Sequence, residues 1–461
     1  MSHRYTRRTF GAAVGGIIGA AGLATGENAR LGGETTTSDR TSTQSEAEGT
    51  DWPAYRAAAG STASNPGAGS PTTGAQEAWE WNPDDADASM TIPVVADGTV
   101  YVTLEGDSTV EVVALDSADA SVRWRTAVED TSNLSVPAAV GDAVYVVGGD
   151  STVYALDAAD GSIRSTTPFG ETTRDRYNPA PPRIVGGTLY AAVSPTSRSH
   201  PSRNAVVAAI PLDSCGGSWT VTIEGTEEHD ARVSTPAVSD GKVFVVGWVD
   251  DTGFLRAISA ATGETEWELQ REGGDNWQYS PIAADGTVYA LTDRGILLAL
   301  DADDGTEQWQ YRGWDRVHEQ PAVTEDAVYA VTNVEGGTTM DPAYGAIVAA
   351  LDPETGTELW RREAPASCGP ESIPGGMDCD LSSSRWSEPS VGNGAVYTSL
   401  SGAAPAGLNA LDVEDGERLW QLGIDPRHAP VLAGGAMYLA RPYNPDAGRY
   451  QGLVKLEEST D

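Results

Sequence analysis

One pattern recurs eight times along the chain, and this repetition constrains the fold more than any other feature. Aligned on proline, the copies begin at Pro93, Pro137, Pro182, Pro236, Pro281, Pro321, Pro389 and Pro430. Four and five residues later comes a turn pair, such as Asp97-Gly98, Asp240-Gly241 or Asn393-Gly394. Eight residues after the proline stands an aromatic: Tyr101, Tyr145, Tyr190, Phe244, Tyr289, Tyr329, Tyr397 or Tyr438. A second signature follows. ALDSADASVRW, AISAATGETEW, ALDADDGTEQW, ALDPETGTELW and ALDVEDGERLW end at Trp124, Trp267, Trp309, Trp360 and Trp420. A looser copy ends at Trp219, and ALDAADGSIRS ends at Ser165. Alternating apolar and polar residues between tight turns read as short strands.

The eighth copy starts at Leu453 and stops before its tryptophan strand. A matching strand stands at the other end of the repeats, in Ala78-Trp79-Glu80-Trp81. The expected fold is therefore all-β: an eight-bladed β-propeller of four-stranded antiparallel blades, its last blade completed by an N-terminal strand. Closing the ring removes sheet edges that would otherwise aggregate. The proline suits a strand entrance because it lacks an N–H. The aromatic and the tryptophan, Trp79 included, are expected to wedge between blades as core.

The repeats resemble the PQQ-type propeller repeat (BamB-like, quinoprotein-like), of the form SPxVxDGxVYV…ALDxxTGxxxW, over residues 75–458. Asp51-Trp52-Pro53-Ala54-Tyr55-Arg56, followed by Asn65-Pro66, resembles the lead-in of haloarchaeal exported members of that group. The resemblance is specific for fold and weak for function, since the group includes quinoprotein dehydrogenases, the outer-membrane assembly lipoprotein BamB and many surface proteins. In the dehydrogenases it implies a vicinal disulfide against the quinone, a tryptophan floor, calcium ligands and an aspartate base. This chain has no adjacent cysteine pair, so neither PQQ nor calcium is expected as a cofactor.

Acidic residues outnumber basic ones 67 to 29, for a formal net charge of −38. Nucleic-acid binding is excluded as a class, because it needs a basic footprint. Lys242 and Lys455 are the only lysines; acid throughout with almost no lysine resembles proteins of halophilic archaea. Thr6-Arg7-Arg8-Thr9-Phe10 and the Gly/Ala-rich run after it resemble a twin-arginine export signal, assigned to residues 1–26. Residues 27–50 read as a flexible Ser/Thr/Glu-rich linker, 51–74 as a lead-in segment, and 75–458 as the propeller. The expected location is extracellular or at the cell surface, as a monomer, with membrane contact only through an uncleaved signal. Of three cysteines, Cys368 and Cys379 could close a disulfide loop, leaving Cys215. The sequon Asn133-Leu134-Ser135 reads as chance.

The acidic turn of ALDADDGTEQW invites a metal reading, but its sister copies carry Ala118-Asp119, Ala159-Asp160, Ala261-Thr262, Glu354-Thr355 and Glu414-Asp415 at the same place. Gly305 also falls at the wrong step for a calcium loop. These residues read as a turn.

Both tight turns of each blade must lie on one face, so the other two connections lie on the opposite face. All the long insertions fall there: 193–204, 333–344, 361–388 and 441–452, with a milder one at 401–408. Residues just before the entrance prolines are expected to line that face near the channel mouth. They are Tyr177, Arg232, Trp277, His318, Glu319, Arg385, Trp386, Glu388, Arg427 and His428. Singly they read as satisfying loop backbone; together they form a candidate site for a small polar ligand, a sugar or a peptide. Asp341, Asp378 and Asp380 are candidates for an incidental cation. No Ser/His/Asp grouping or HxxxH spacing appears. The expectation is an exported, non-catalytic module that binds an unknown protein or an envelope glycan through the long-loop face. The alternatives are a PQQ-dependent dehydrogenase and a glycan-binding envelope protein.

Overall fold

A computed structural model describes residues 6–7, 51–58, 60–85, 88–106, 109–129, 131–170, 177–196, 203–213, 216–272, 276–312, 319–332, 347–364, 385–401, 406–424, 426, 428–440, 443–444, 449–450 and 452–460. Eight antiparallel sheets succeed one another along the chain, each running from an inner strand to an outer one. Blade 5 is representative. Trp277–Ala284 lies innermost, followed by Thr287–Thr292, Leu297–Asp301 and Glu307–Tyr311 outermost. In blade 8 the outermost strand is Ala75–Trp81, which pairs antiparallel with Leu453–Glu458 and closes the ring as expected. Thr6–Arg7 adds a two-residue strand to the outer edge of blade 4. Among the described residues no helix is long and apolar enough to cross a membrane.

The repeated aromatics hold the blades together in two steps. Within a blade the tyrosine or phenylalanine ring meets the tryptophan at a tilt, as in Tyr289–Trp309 (centroids 5.8 Å) and Phe244–Trp267 (5.9 Å). Between blades the indole donates its N–H to a carbonyl in the next blade's outer turn. Trp124 reaches Ala158, Trp219 reaches Ala260, Trp267 reaches Ala302, Trp309 reaches Pro353 and Trp360 reaches Val413, all at 2.7–3.0 Å. Trp79 reaches Ser117 in blade 1 at 3.0 Å. At the ring's seam Trp420 finds Pro71 of the lead-in instead, at 3.1 Å.

The turn glycines are shaped to this contact. Gly305 has φ +73°, and a Cβ there would stand 2.9 Å from Trp267 Cε3. A β-bulge just before the turn, between Ala299 and Leu300 in blade 5, recurs in blades 1, 2, 4, 6 and 7. Bulges bend a strand and re-aim its side chains, and here the residue before the bulge pairs with the tryptophan, as Ala299 does with Trp309.

Candidate functional site

The two tight turns of a blade touch each other. Ser117 donates its N–H to Gly98 O, Ala158 to Asp142 O, Ala260 to Gly241 O and Ala302 to Gly286 O, at 2.8–3.0 Å. They therefore share one face, the turn face, and the remaining connections share the other, the loop face. The acidic residues of the turns are occupied with backbone. Asp301 accepts the N–H of Asp303 at 2.8 Å, and Asp304 that of Thr306 at 2.9 Å. The Ala118 N–H, and then Arg123, hold the Asp116 carboxyl below its ordinary value.

The ring's axis is filled by its own chain. Residues 51–53 run against the inner strand of blade 1, where Trp52 and Val95 exchange two backbone hydrogen bonds of 2.8 Å. The segment then circles the channel. Ala139 donates to Pro53 O, Ala283 to Gly60 O, Val323 to Thr62 O and Val391 to Ala63 O, at 2.8–2.9 Å. Each of these donors, like Val95, stands two residues after an entrance proline. The lead-in thus reads the same inner-strand N–H in blades 1, 2, 5, 6 and 7. It leaves through the turn face, where Gly435 donates to Ala68 O.

Two buried arginines fasten this plug. Arg56 reaches out from it, donating to Pro321 O and pairing with Glu388 at 3.4 Å. Arg183 reaches in from blade 3, donating to Tyr55 O, Ser61 Oγ and Pro236 O. Among the described residues no carboxylate pairs with Arg183, which is fully buried, and burial draws its pKa downward. Burial of the Tyr55 hydroxyl, and next the Glu388 carboxylate, raise the pKa of Tyr55. Beside Arg56 and Glu388 remains a cavity of about 10 Å³, walled by Trp52, Ile92, Ala429 and Val431. That is room for about one water.

The ten candidate residues separate into groups. Tyr177, Trp277 and Trp386 are buried, at 1–3% exposure. Tyr177 is tied by backbone to Gly149 and Asn133. Glu388 faces the plug, while Glu319, His428 and Arg232 are half-buried. Arg385 begins a two-residue strand paired with Ser401. His318 and Arg427 lie outside the described residues, as do Cys215, Cys368, Cys379, Asp341, Asp378, Asp380 and most of the long insertions. Arg232 and Trp277 are brought to the junction of blades 4 and 5. Asn133 of the sequon donates its amide to Tyr177 O, and Ser135 Oγ accepts the Val147 N–H, so both sequon side chains are built into the fold.

Sequence reasoning missed two features. The first is that the lead-in fills the axis. The second is a hydroxyl two residues before the proline: Thr91, Ser135, Ser234 and Ser387 accept the N–H of Thr103, Val147, Val246 and Ser399 at 2.9–3.1 Å. The repeat alignment itself carried that second signal.

The fold and its two unlike faces define a PQQ-repeat β-propeller. Within that class the chain belongs to the family described as outer membrane protein assembly factor BamB, whose model matches residues 67–198, 181–339, 277–427 and 344–458. BamB of Yersinia pestis is 24% identical over 279 residues, which cover 59% of this chain and 64% of that protein. BamB of Moranella endobia is 28% identical over 181 residues, 37% of this chain and 42% of the relative. The match thus spans less than two thirds of these relatives. Among solved structures, BamB from Moraxella catarrhalis aligns with TM-score 0.51 at 16% identity, over 84% of this chain and 99% of that one. Quinohemoprotein alcohol dehydrogenase ADHIIG from Pseudomonas putida aligns with TM-score 0.59 at 14% identity, over 89% of this chain and 80% of that one. At such identities the likeness is one of fold.

Proposed function

We propose that the chain is a non-catalytic, exported binding module that holds a protein partner on its loop face. The observation that carries this reading is the division of labour between the faces. The axis is packed with residues 51–70, and the chain enters on the turn face, where Asp51 accepts the N–H of Asp97 at 3.1 Å. Among the described residues the lead-in is tied to the inner strands and the turn face, and loops on a rigid scaffold are where binding concentrates. Kinship with an assembly factor favours a protein partner over a glycan.

Carboxylate-directed cross-linking on the native envelope, read by mass spectrometry, tests this. Links to a partner are expected from the loop face. Links confined to the turn-face aspartates, or PQQ- and calcium-dependent reduction of a dye by the purified protein, would overturn it.

A further inference from the structure

Blade 4 presents an unusual row at its loop-face end. Across the sheet Arg232 stands opposite Trp248, Trp248 opposite Gly253, and Gly253 opposite Arg271. Residues directly opposite on antiparallel strands project from the same side of the sheet. That side faces blade 5: a Cβ on Gly253 would meet Asn276 Oδ1 at 3.1 Å and Trp277 Cδ1 at 3.3 Å. The Arg271 guanidinium lies over the Trp277 ring at 4.7 Å. The row and the start of blade 5 therefore form one corner.

Three properties of this corner need a ligand to make sense of them. Trp248 is 37% exposed, a large apolar ring turned to solvent. Arg232 has no carboxylate partner among the described residues, although the chain holds more than twice as many acidic as basic residues. Trp277 is 3% exposed, yet its indole N–H is buried without an acceptor, as is the Asn276 Oδ1 without a donor. Buried polar atoms are normally satisfied, and an orphan calls for a reason. Among the described residues the Arg232 guanidinium has no carboxylate to meet, and the exposed Trp248 indole is an apolar platform beside it. The backbone is fixed as well. A Cβ on Gly247 would come within 2.3 Å of Phe254 Cζ and 2.4 Å of Arg232 O, so strand and neighbour are in close contact. A rigid Trp and Arg in a preformed setting is the usual make-up of an interface hot spot.

We infer that this corner of blades 4 and 5 anchors the partner, and that it takes an extended acidic peptide presenting an Asp or Glu beside an apolar side chain. The carboxylate meets Arg232, and the apolar neighbour lies on Trp248. The inference rests on the loop-face reading above and deepens it.

A random 12-residue peptide library, panned against the full-length protein, is the probe. Enriched peptides should pair Asp or Glu with Leu, Phe or Tyr. Trp248→Ala and Arg232→Ala should each weaken them on the order of 10- to 30-fold, and Arg232→Lys by less. Changing the peptide Asp to Asn should add little in Arg232→Ala, because the two changes remove the same contact. Glu414→Lys, on the turn face, should leave binding unchanged. No enrichment, or peptides indifferent to both corner variants, overturns the assignment. If Glu319→Gln or His428→Ala abolishes binding while the corner variants do not, this corner falls and the loop-face reading stands. Loss in Glu414→Lys alone removes both. Binding of a glucuronate oligosaccharide with the same dependence on the corner, without peptide enrichment, replaces the peptide by a glycan.

Discussion

Blade 2 and blade 5 are built from the same repeat, yet only blade 5 is fastened to its successor by tryptophan. Trp309 crosses to Pro353 O and packs against Gly356. In blade 2 the position is Ser165, and all six residues of the outer strand Ile163–Pro168 are exposed. Tyr145, without a tryptophan to meet, is half-buried, whereas Tyr289 is buried. The receiving side is altered too. Aligning the turns puts Cys215 of blade 3 where the turns of blades 2 and 4–7 have glycine. The staple is thus a two-part device, an indole in one blade and a glycine in the next, and the seam between blades 2 and 3 lacks both. One rigid ring contains a weak seam whose position is written in two residues fifty apart in the chain.

The largest test removes a staple. Trp309→Ala should cost about 3–5 kcal/mol, the range for deleting a packed tryptophan, whereas Ser165→Ala should stay within about 0.5 kcal/mol. Denaturant unfolding of both variants measures the gap. Equal effects would mean that the staples are ornament and the sheets alone carry the ring.

Next comes the receiving side. Gly305→Ala forces a Cβ toward Trp267 at a left-handed φ, and should cost about 2 kcal/mol. Blade 1 supplies the natural contrast, since Ala120 holds the same turn position at φ +61°. Ala120→Gly should be neutral or stabilising by up to about 1 kcal/mol, the relief of strain being partly offset by glycine's entropy. Thermal melts of the two variants should move in opposite directions, or Gly305 down and Ala120 not at all. A loss in both would show that the turn, rather than the tryptophan above it, sets the requirement.

The ring and its clasp were legible because each signal recurs: a proline, a turn and an aromatic at fixed spacing vote eight times, and a tryptophan seven. The lead-in gave no such vote. Ala57, Ser61, Ala63 and Ala68 are buried beside Trp52 and Arg56, a mixture of small and large side chains with no repeating order. The segment meets blades 1, 2, 5, 6 and 7 in turn at uneven spacing, so no period appears. Arg56, Ala57, Ser61 and Ala63 also adopt left-handed φ of 54–62°, conformations that no local propensity announces. For the candidate site the proline offset singled out one face of the ring but did not give burial. Trp386 and Tyr177 were grouped with Arg232 by spacing alone, and only the register of Arg232 with Trp248 shows which of them meets solvent beside an aromatic.

A smaller effect is expected from rebuilding the missing staple. Ser165→Trp alone should gain little, because the aligned turn of blade 3 carries Cys215 in place of the glycine that receives the indole in the other blades. Together with Cys215→Gly the pair should gain about 1 kcal/mol more than the sum of the single changes, a coupling of the size neighbouring residues show. A double-mutant cycle on unfolding midpoints gives the number directly. Strict additivity would separate the indole from the glycine and dissolve the two-part device.

The smallest effect concerns what blade 2 has in place of a staple. Arg164 on its outer strand pairs with Asp157 at 2.6 Å and Asp142 at 2.9 Å, both in its own turns. These bonds hold both carboxyl groups below their ordinary values. A depressed folded pKa contributes stability above the unfolded value, near 3.9, and loses it as pH falls through the folded value. The outer strand of blade 2 should therefore loosen below about pH 4, before the stapled blades do, and amide exchange across residues 163–167 should show it. Arg164→Ala should bring both carboxyl groups nearer to ordinary titration, Asp157 less fully because the Ala159 N–H still holds it, and should shrink the acid step in exchange at this strand. Salt should blunt the same step, since these pairs are exposed and screened. If exchange in blade 2 and blade 5 rises together on acidification, the seam is no weaker than its neighbours, and the missing tryptophan is compensated elsewhere.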